Sequence, residues 1–155
     1  MIDRKKIRLT NYDYSTPGVY FITICTRERK PILGNITTAT TGHPYVELSE
    51  IGNVVNKAVQ NISEIYPEVK TDKYVIMPEH IHLLIRINEE RRPMVAATVS
   101  RIVNQFKGAV TKQLGISIWQ RSYIDRVVRN RKEYDEIWKY IENNPIKRYL
   151  KQIGV

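Results

Sequence analysis

Two of the three histidines in this 155-residue chain, His80 and His82, stand one residue apart in Met77-Pro78-Glu79-His80-Ile81-His82-Leu83-Leu84-Ile85. The run from His80 is apolar and β-branched and reads as a strand. Alternate side chains of a strand share a face, so the two imidazoles point the same way, about 7 Å apart. Ile81, Leu83, Ile85 and Ile87 point the other way and form an unbroken apolar stripe for packing. The same alternation puts Glu79 on the stripe's face, so it is not counted as a ligand. Two neutral imidazoles so placed can grip one divalent ion, or can simply be two half-exposed histidines. They fall short of the four ligands of a structural zinc site, so a bound ion would keep open positions for water or substrate.

A tyrosine offers the second piece of chemistry. Tyr134, Ile137, Trp138 and Ile141 repeat at i, i+3, i+4, i+7 and make the packing stripe of a helix. Tyr134 belongs to that stripe. Tyr140 lies about 110° from its centre, where a hydroxyl can reach something beside the core. Asn144 sits one turn further on, on the same side as Tyr140. Tyr140 can equally be an ordinary boundary tyrosine, one of ten in the chain. Phenols ionise near pH 10 and are poor nucleophiles at neutral pH. A divalent ion that polarises a phosphodiester makes the attack workable. A His-x-His pair, a displaced tyrosine and a basic surface are jointly what covalent phosphodiester cleavage needs.

These residues need elements to position them. Pro17-Gly18 signals a turn, and Val19 to Thr26 reads as a central strand. Residues 31–48 form a hairpin or irregular excursion, with Gly34-Asn35 and Gly42-His43-Pro44 as turn points. Ser49 is a good N-cap for an amphipathic helix over Glu50 to Tyr66, which Pro67 ends. Strands follow at Val69 to Met77 and His80 to Asn88. A helix marked by Val95 to Leu114 closes at Gly115. Ile118 to Val128 reads as a fourth strand and Lys132 to Asn143 as a third helix. Pro145 stops that helix and opens a short last one through Leu150. The order is β-α-β-β-α-β followed by helices. It predicts an α+β, ferredoxin-like (split βαβ) fold: an antiparallel sheet with two helices on one face and a C-terminal helix that carries Tyr140. No linker or repeat divides the chain, so one domain over 1–155 is expected.

Composition narrows the partners. Twenty-five Lys and Arg against 16 Asp and Glu leave a net charge of +9. Residues 1–30 carry +4, residues 31–100 carry −2 and residues 101–155 carry +7. An excess of this size at both ends suits a polyanion, most often nucleic acid; its bland alternative is solubility. The lone Cys25 excludes a disulfide-stapled fold. No apolar run is long enough to span a membrane or serve as a secretory signal, and a cytoplasmic location is expected. Phosphate contacts are expected from Arg4, Lys5, Lys6 and Arg8 and from Arg121, Arg126, Arg129 and Arg131, with Lys107 a lesser candidate. Trp119, Tyr123 and Tyr12 could stack on unpaired bases or pack inside.

Met77-Pro78-Glu79-His80-Ile81-His82-Leu83-Leu84 resembles the HUH motif of single-tyrosine transposases, with the REP-associated tyrosine transposases as the most similar branch. Tyr12-Asp13-Tyr14-Ser15, Pro17-Gly18 and Tyr20-Phe21 resemble that family's opening segment. Phe106-Lys107, Trp119-Gln120-Arg121 with Tyr123, and Arg129-Asn130 recur in order. Tyr140-Ile141 with Asn144-Pro145 is similar to its closing signature. The resemblance implies that His80 and His82 ligate Mg²⁺ or Mn²⁺, with Asn144 as a third ligand or metal-proximal group. It implies that Tyr140 attacks single-stranded DNA beside a short hairpin, forming a 5′-phosphotyrosine and freeing a 3′-OH. A monomer is expected from the REP-associated branch, over the homodimer with shared sites of related transposases, and whether Tyr140 works on its own chain's histidines or a partner's stays open. Glu79 departs from the family's usual Asn or Asp, and Pro145 disfavours helical geometry at Asn144. Two alternatives remain open. One is a non-catalytic module, derived from such an enzyme, that binds hairpin DNA or RNA. The other is a metal-dependent RNA nuclease that uses water.

Overall fold

The computed structural model describes residues 18–88 and 98–155. Four strands form one antiparallel sheet in the order β4-β5-β1-β6: β1 is Val19–Cys25, β4 Val69–Ile76, β5 His80–Ile87 and β6 Ile124–Val128. Strands β2 (Gly34–Thr38) and β3 (Pro44–Leu48) make a separate hairpin. The helices are α1 (Glu50–Gln60), α2 (Ile62–Ile65), α3 (Val99–Leu114) and α4 (Arg131–Gln152). This is the expected α+β, ferredoxin-like arrangement, with β1 central between the histidine strand and β6.

The apolar stripe does what its spacing predicts. Ile81, Leu83, Ile85 and Ile87 of β5 join Tyr20, Ile22 and Ile24 of β1 in the main core, against Val55 and Val59 of α1 and Ile102, Val103, Phe106 and Val110 of α3. Local signals fix the ends of these helices. The Ser49 hydroxyl accepts from the Gly52 amide at 3.0 Å. Thr98 caps α3 in the same way at 3.1 Å, and Gly115 closes it in the left-handed region at φ 77°. The opposite sheet face carries the histidines, and α4 lies on it. Ile137 and Ile141 pack on Leu84 there, beside Phe21, Val75 and Trp138.

Four boundaries differ from expectation. Gly34-Asn35 is no turn: Gly34 opens β2, and a Cβ there would stand 2.5 Å from the Glu47 carbonyl oxygen. The chain reverses instead near Gly42, at φ +84°. The helix over 50–66 breaks at Asn61 into α1 and α2. The fourth strand starts at Ile124, not Ile118. Ile118 and Trp119 are buried but lie outside the ladder, Trp119 making an isolated bridge to Thr26. Finally, Pro145 does not stop the last helix. α4 runs through it to Gln152.

Candidate functional site

The site is built where the C-terminal end of β1 meets the start of β5. Strand register pairs Cys25 with His80 and Thr23 with His82, so these four residues share one face. Both histidines are buried, at 7% and 5% exposure, not half-exposed. Their ring centroids are 4.6 Å apart. Each ring is held through Nδ1. His82 Nδ1 lies 2.8 Å from the Thr23 hydroxyl, and His80 Nδ1 lies 2.9 Å from Glu79 Oε1. His82 Nε2 is buried and has no hydrogen-bond partner. A buried polar atom without a partner is costly, and one in an orienting frame of this kind is where a metal or substrate atom belongs.

Electrostatics keep the pair neutral. Burial pushes His82 down to about 3, with His80 and the Arg29 guanidinium adding to the effect. Burial also lowers His80, against the opposing pull of Glu79. Neutral imidazoles hold their lone pairs ready for a cation at any pH near neutrality.

Tyr140 stands over this pair. Its ring centroid is 5.4 Å from that of His82 and 6.2 Å from that of Phe21, and it remains 45% exposed. The Lys147 ammonium lies 5.8 Å from its ring. Tyr134 is different: its hydroxyl donates to Asp72 Oδ2 at 2.7 Å, and Asp72 also accepts from Arg86. Asn144 is buried in α4 despite preceding Pro145. Its Nδ2 donates to the Tyr140 carbonyl at 2.5 Å, which leaves Oδ1 as its remaining acceptor. Among the described residues no group of three His, Cys, Asp or Glu is placed to hold a metal ion. A cation here would take His80 and His82, with Asn144 Oδ1 on α4 as a further candidate oxygen, and would keep open positions.

Glu79 requires a correction. It precedes β5, so strand alternation does not apply to it. It is buried on the histidine side, where it holds His80 and accepts two hydrogen bonds from the Arg148 guanidinium, one of them at 2.9 Å. The Arg29 guanidinium lies 3.7 Å from the same carboxylate. Hydrogen bonds from Arg148 hold the Glu79 carboxyl below the usual carboxylate range, against the effect of burial. Thr23, Glu79 and Arg148 were not among the expected site residues. The spacing of Tyr140, Asn144 and Arg148 at i, i+4 and i+8 puts all three on one side of a helix that continues through Pro145.

The basic residues separate into groups. Arg4, Lys5, Lys6 and Arg8, and also Tyr12, lie outside the described residues. Arg121, Arg126 and Arg129 are exposed. Arg126 shares the histidine face, through its register with Phe21. Arg131 is exposed and paired with Asp135 at 3.1 Å. Lys107 is turned to a structural task, donating to the carbonyls of Gln120 (2.7 Å) and Arg121 (3.3 Å). Trp119 and Tyr123 are 3% and 5% exposed and belong to the core, so base stacking is withdrawn for both.

The family model of the IS200-like transposases matches residues 18–144. The chain belongs to the IS200-like transposase family. Among curated relatives of this transposase, an uncharacterized protein of Haemophilus influenzae is 34% identical, covering 92% of this chain and 88% of that one. A second protein of the same organism, named as a REP-associated tyrosine transposase, is 26% identical over 90% of this chain and 77% of its own. Of solved structures, a REP-associated tyrosine transposase bound to a REP hairpin superposes with TM-score 0.66, at 23% identity, over 91% of this chain and 74% of that one. A transposase from Deinococcus radiodurans superposes with TM-score 0.52 at 18% identity, over 88% of this chain and 95% of that one. Both likenesses support the fold of this transposase. No helix among the described residues is long and apolar enough to cross a membrane.

Proposed function

We propose that this transposase is a metal-dependent single-tyrosine strand transferase that cuts single-stranded DNA beside short hairpins. The observation that carries the reading is the buried, unpartnered Nε2 of His82 beneath the Tyr140 ring, 5.4 Å away between centroids. Membership of a transposase family and the +9 charge support DNA as the substrate, and the superposing REP-associated transposase is bound to a hairpin. His80, His82 and Asn144 would hold Mg²⁺ or Mn²⁺. When bound, the ion supplies charge neutralisation at the scissile phosphate.

The chain's own residues do the rest. Thr23 and Glu79 lock the two imidazoles with their free nitrogens presented together. Phe21 backs the Tyr140 ring edge-on and limits where its hydroxyl can go. Exposed Arg126 and Arg129 draw the phosphate backbone toward the face that carries the pair. The Tyr140 oxygen attacks phosphorus, its proton passing to solvent. A tyrosyl O–P bond forms, the P–O3′ bond breaks, and the departing 3′ oxygen takes up a proton. Reversal by a second 3′-OH rejoins DNA and restores the phenol. The Tyr140 ring lies 5.4 Å from that of His82 in the same chain, which supports a reaction within one protomer over one shared across a homodimer.

A test is incubation with a hairpin DNA carrying single-stranded flanks and Mn²⁺, followed by a denaturing gel. A covalent protein–DNA band is expected; it disappears in Tyr140→Phe and persists in Tyr134→Phe. No band from the unaltered protein, or loss only in Tyr134→Phe, refutes the assignment. Release of cut DNA by Tyr140→Phe without an adduct would mean that water is the nucleophile. Hairpin binding with no metal-dependent cutting would mean the non-catalytic module.

A further inference from the structure

Three residues of the Phe106-Lys107 and Trp119-Gln120-Arg121 segments are left without a role by the tyrosine chemistry. In the fold the two segments come together. The apolar members, Phe106 and Trp119, are buried with ring centroids 5.6 Å apart. The polar members, Lys107, Gln120 and Arg121, line a cleft of about 610 Å³ together with Arg27 and Gly108. Lys107 is fixed in the cleft wall by the carbonyls of Gln120 and Arg121, while Arg27 and Arg121 are exposed. Three cationic side chains from three segments therefore line one cleft.

Gly108 is the second, independent observation. It sits within α3, where glycine is the poorest helix former after proline. A tight packing contact would explain it, but a Cβ added there meets nothing within 4 Å. Its φ is helical and needs no glycine. What a side chain at 108 would occupy is the space of the cleft itself. A bare stretch of helix beside three cations suits a phosphate with its bulky sugar and base lying against the backbone.

A short stretch of chain joins the cleft to the end of the histidine-bearing strand pair. Cys25 pairs with His80, and the chain then passes directly to Arg27, whose amide donates to the Ile118 carbonyl at 2.8 Å. The next two residues, Glu28 and Arg29, both adopt left-handed backbone, at φ 57° and 52°. That turn sends Arg29 back to Glu79 while Arg27 lines the cleft.

We propose that this cleft is a second nucleic-acid subsite, binding one phosphodiester and its nucleoside from the unpaired strand that enters or leaves the Tyr140 site. The proposal rests on the reading that single-stranded DNA is the substrate. Fluorescence anisotropy of a labelled hairpin with single-stranded flanks, in chelator so that nothing is cut, tests it. Gly108→Met should weaken binding at least tenfold with an unchanged or higher melting temperature, and Gly108→Ala should weaken it far less. Arg27→Ala with Arg121→Ala should reduce the slope of log affinity against log salt by about 0.7, one single-strand phosphate contact's worth. Gly108→Met binding like the unaltered protein at every salt concentration overturns the cleft alone. Unaltered protein that ignores the hairpin overturns both the cleft and the substrate reading.

Discussion

Replacing His82 by Gln should remove an acid sensitivity whose size follows from its burial. The folded protein holds His82 protonated only below about pH 3. An unfolded chain protonates histidine near 6.5. The unfolded state therefore binds the extra proton between these two values, and stability rises with pH across that window. Above pH 6.5 neither state is protonated and the term vanishes. Below it, each pH unit costs about 1.4 kcal/mol, so two units of acidification, to pH 4.5, cost about 2.7 kcal/mol. His80 is shifted in the same direction and adds to the slope. Glu79, held low by Arg148, loses its contribution only as the pH falls through its depressed value, below the ordinary 4.5. Measurements from pH 7.5 to 4.5 thus isolate the histidines. The assay is urea unfolding in chelator at half-unit steps. His82→Gln should be less stable than the unaltered protein at pH 7.5, because the Thr23 hydrogen bond and ring packing are lost. The gap should then narrow by about 2–3 kcal/mol by pH 4.5. Parallel stability curves over the whole range would refute the claim that His82 is buried and neutral.

The same depressed affinity for protons predicts that Mn²⁺ binding, followed by calorimetry, holds nearly constant from pH 7.5 to 6, where ordinary histidine pairs begin to lose metal. Mn²⁺ at a hundredfold excess over Kd should stabilise the fold by about 2.7 kcal/mol, and His80→Gln should abolish the gain. Tyr134→Phe removes the hydrogen bond to Asp72 and should cost about 1–2 kcal/mol in urea unfolding while the covalent DNA adduct persists. Arg148→Met leaves the buried Glu79 carboxylate with only the longer Arg29 contact and should cost about 3 kcal/mol; adding Glu79→Gln should recover much of it, since the double variant leaves no underpaired buried charge.

Much of this architecture is legible in the sequence because its signals are local. The stripe Ile81-Leu83-Ile85-Ile87, the Ser49 cap and Gly115 each act within a few residues, and each is where its pattern places it. The pairing of His80 with His82 on one face needs only strand periodicity. Thr23 is invisible to such reasoning, because its contact with His82 spans 59 positions and depends on strand register. Glu79 stands one residue before β5, where strand alternation no longer says which face a side chain takes. Trp119 and Tyr123 carry the type expected of a stacking platform, and only the packing of α3 against the 118–123 segment assigns them to the core. Charge was legible as a total and as a division along the chain. Its concentration around the cleft was not, because Arg27, Lys107 and Arg121 meet only in the fold.

The last helix shows why a proline can be misread. Proline in a helix interior removes one hydrogen bond and crowds the preceding turn, at about 3 kcal/mol. That cost makes termination the economical expectation at 145. Here α4 instead rests on the sheet and on the β2–β3 hairpin, with Ile137 and Ile141 buried on one side of the proline and the Arg148–Glu79 pair beyond it. Anchors on both sides of Pro145 oppose fraying at the weak point. Asn144 adds its side-chain amide to the Tyr140 carbonyl in the same turn. The result is one rigid body in which Tyr140, Asn144 and Arg148 follow at four-residue intervals along the face turned to His80, His82 and Glu79. Two separate helices would leave Arg148 with no fixed relation to Tyr140. A continuous helix lets the Glu79–Arg148 pair set where the tyrosine stands, and lets the same carboxylate orient His80.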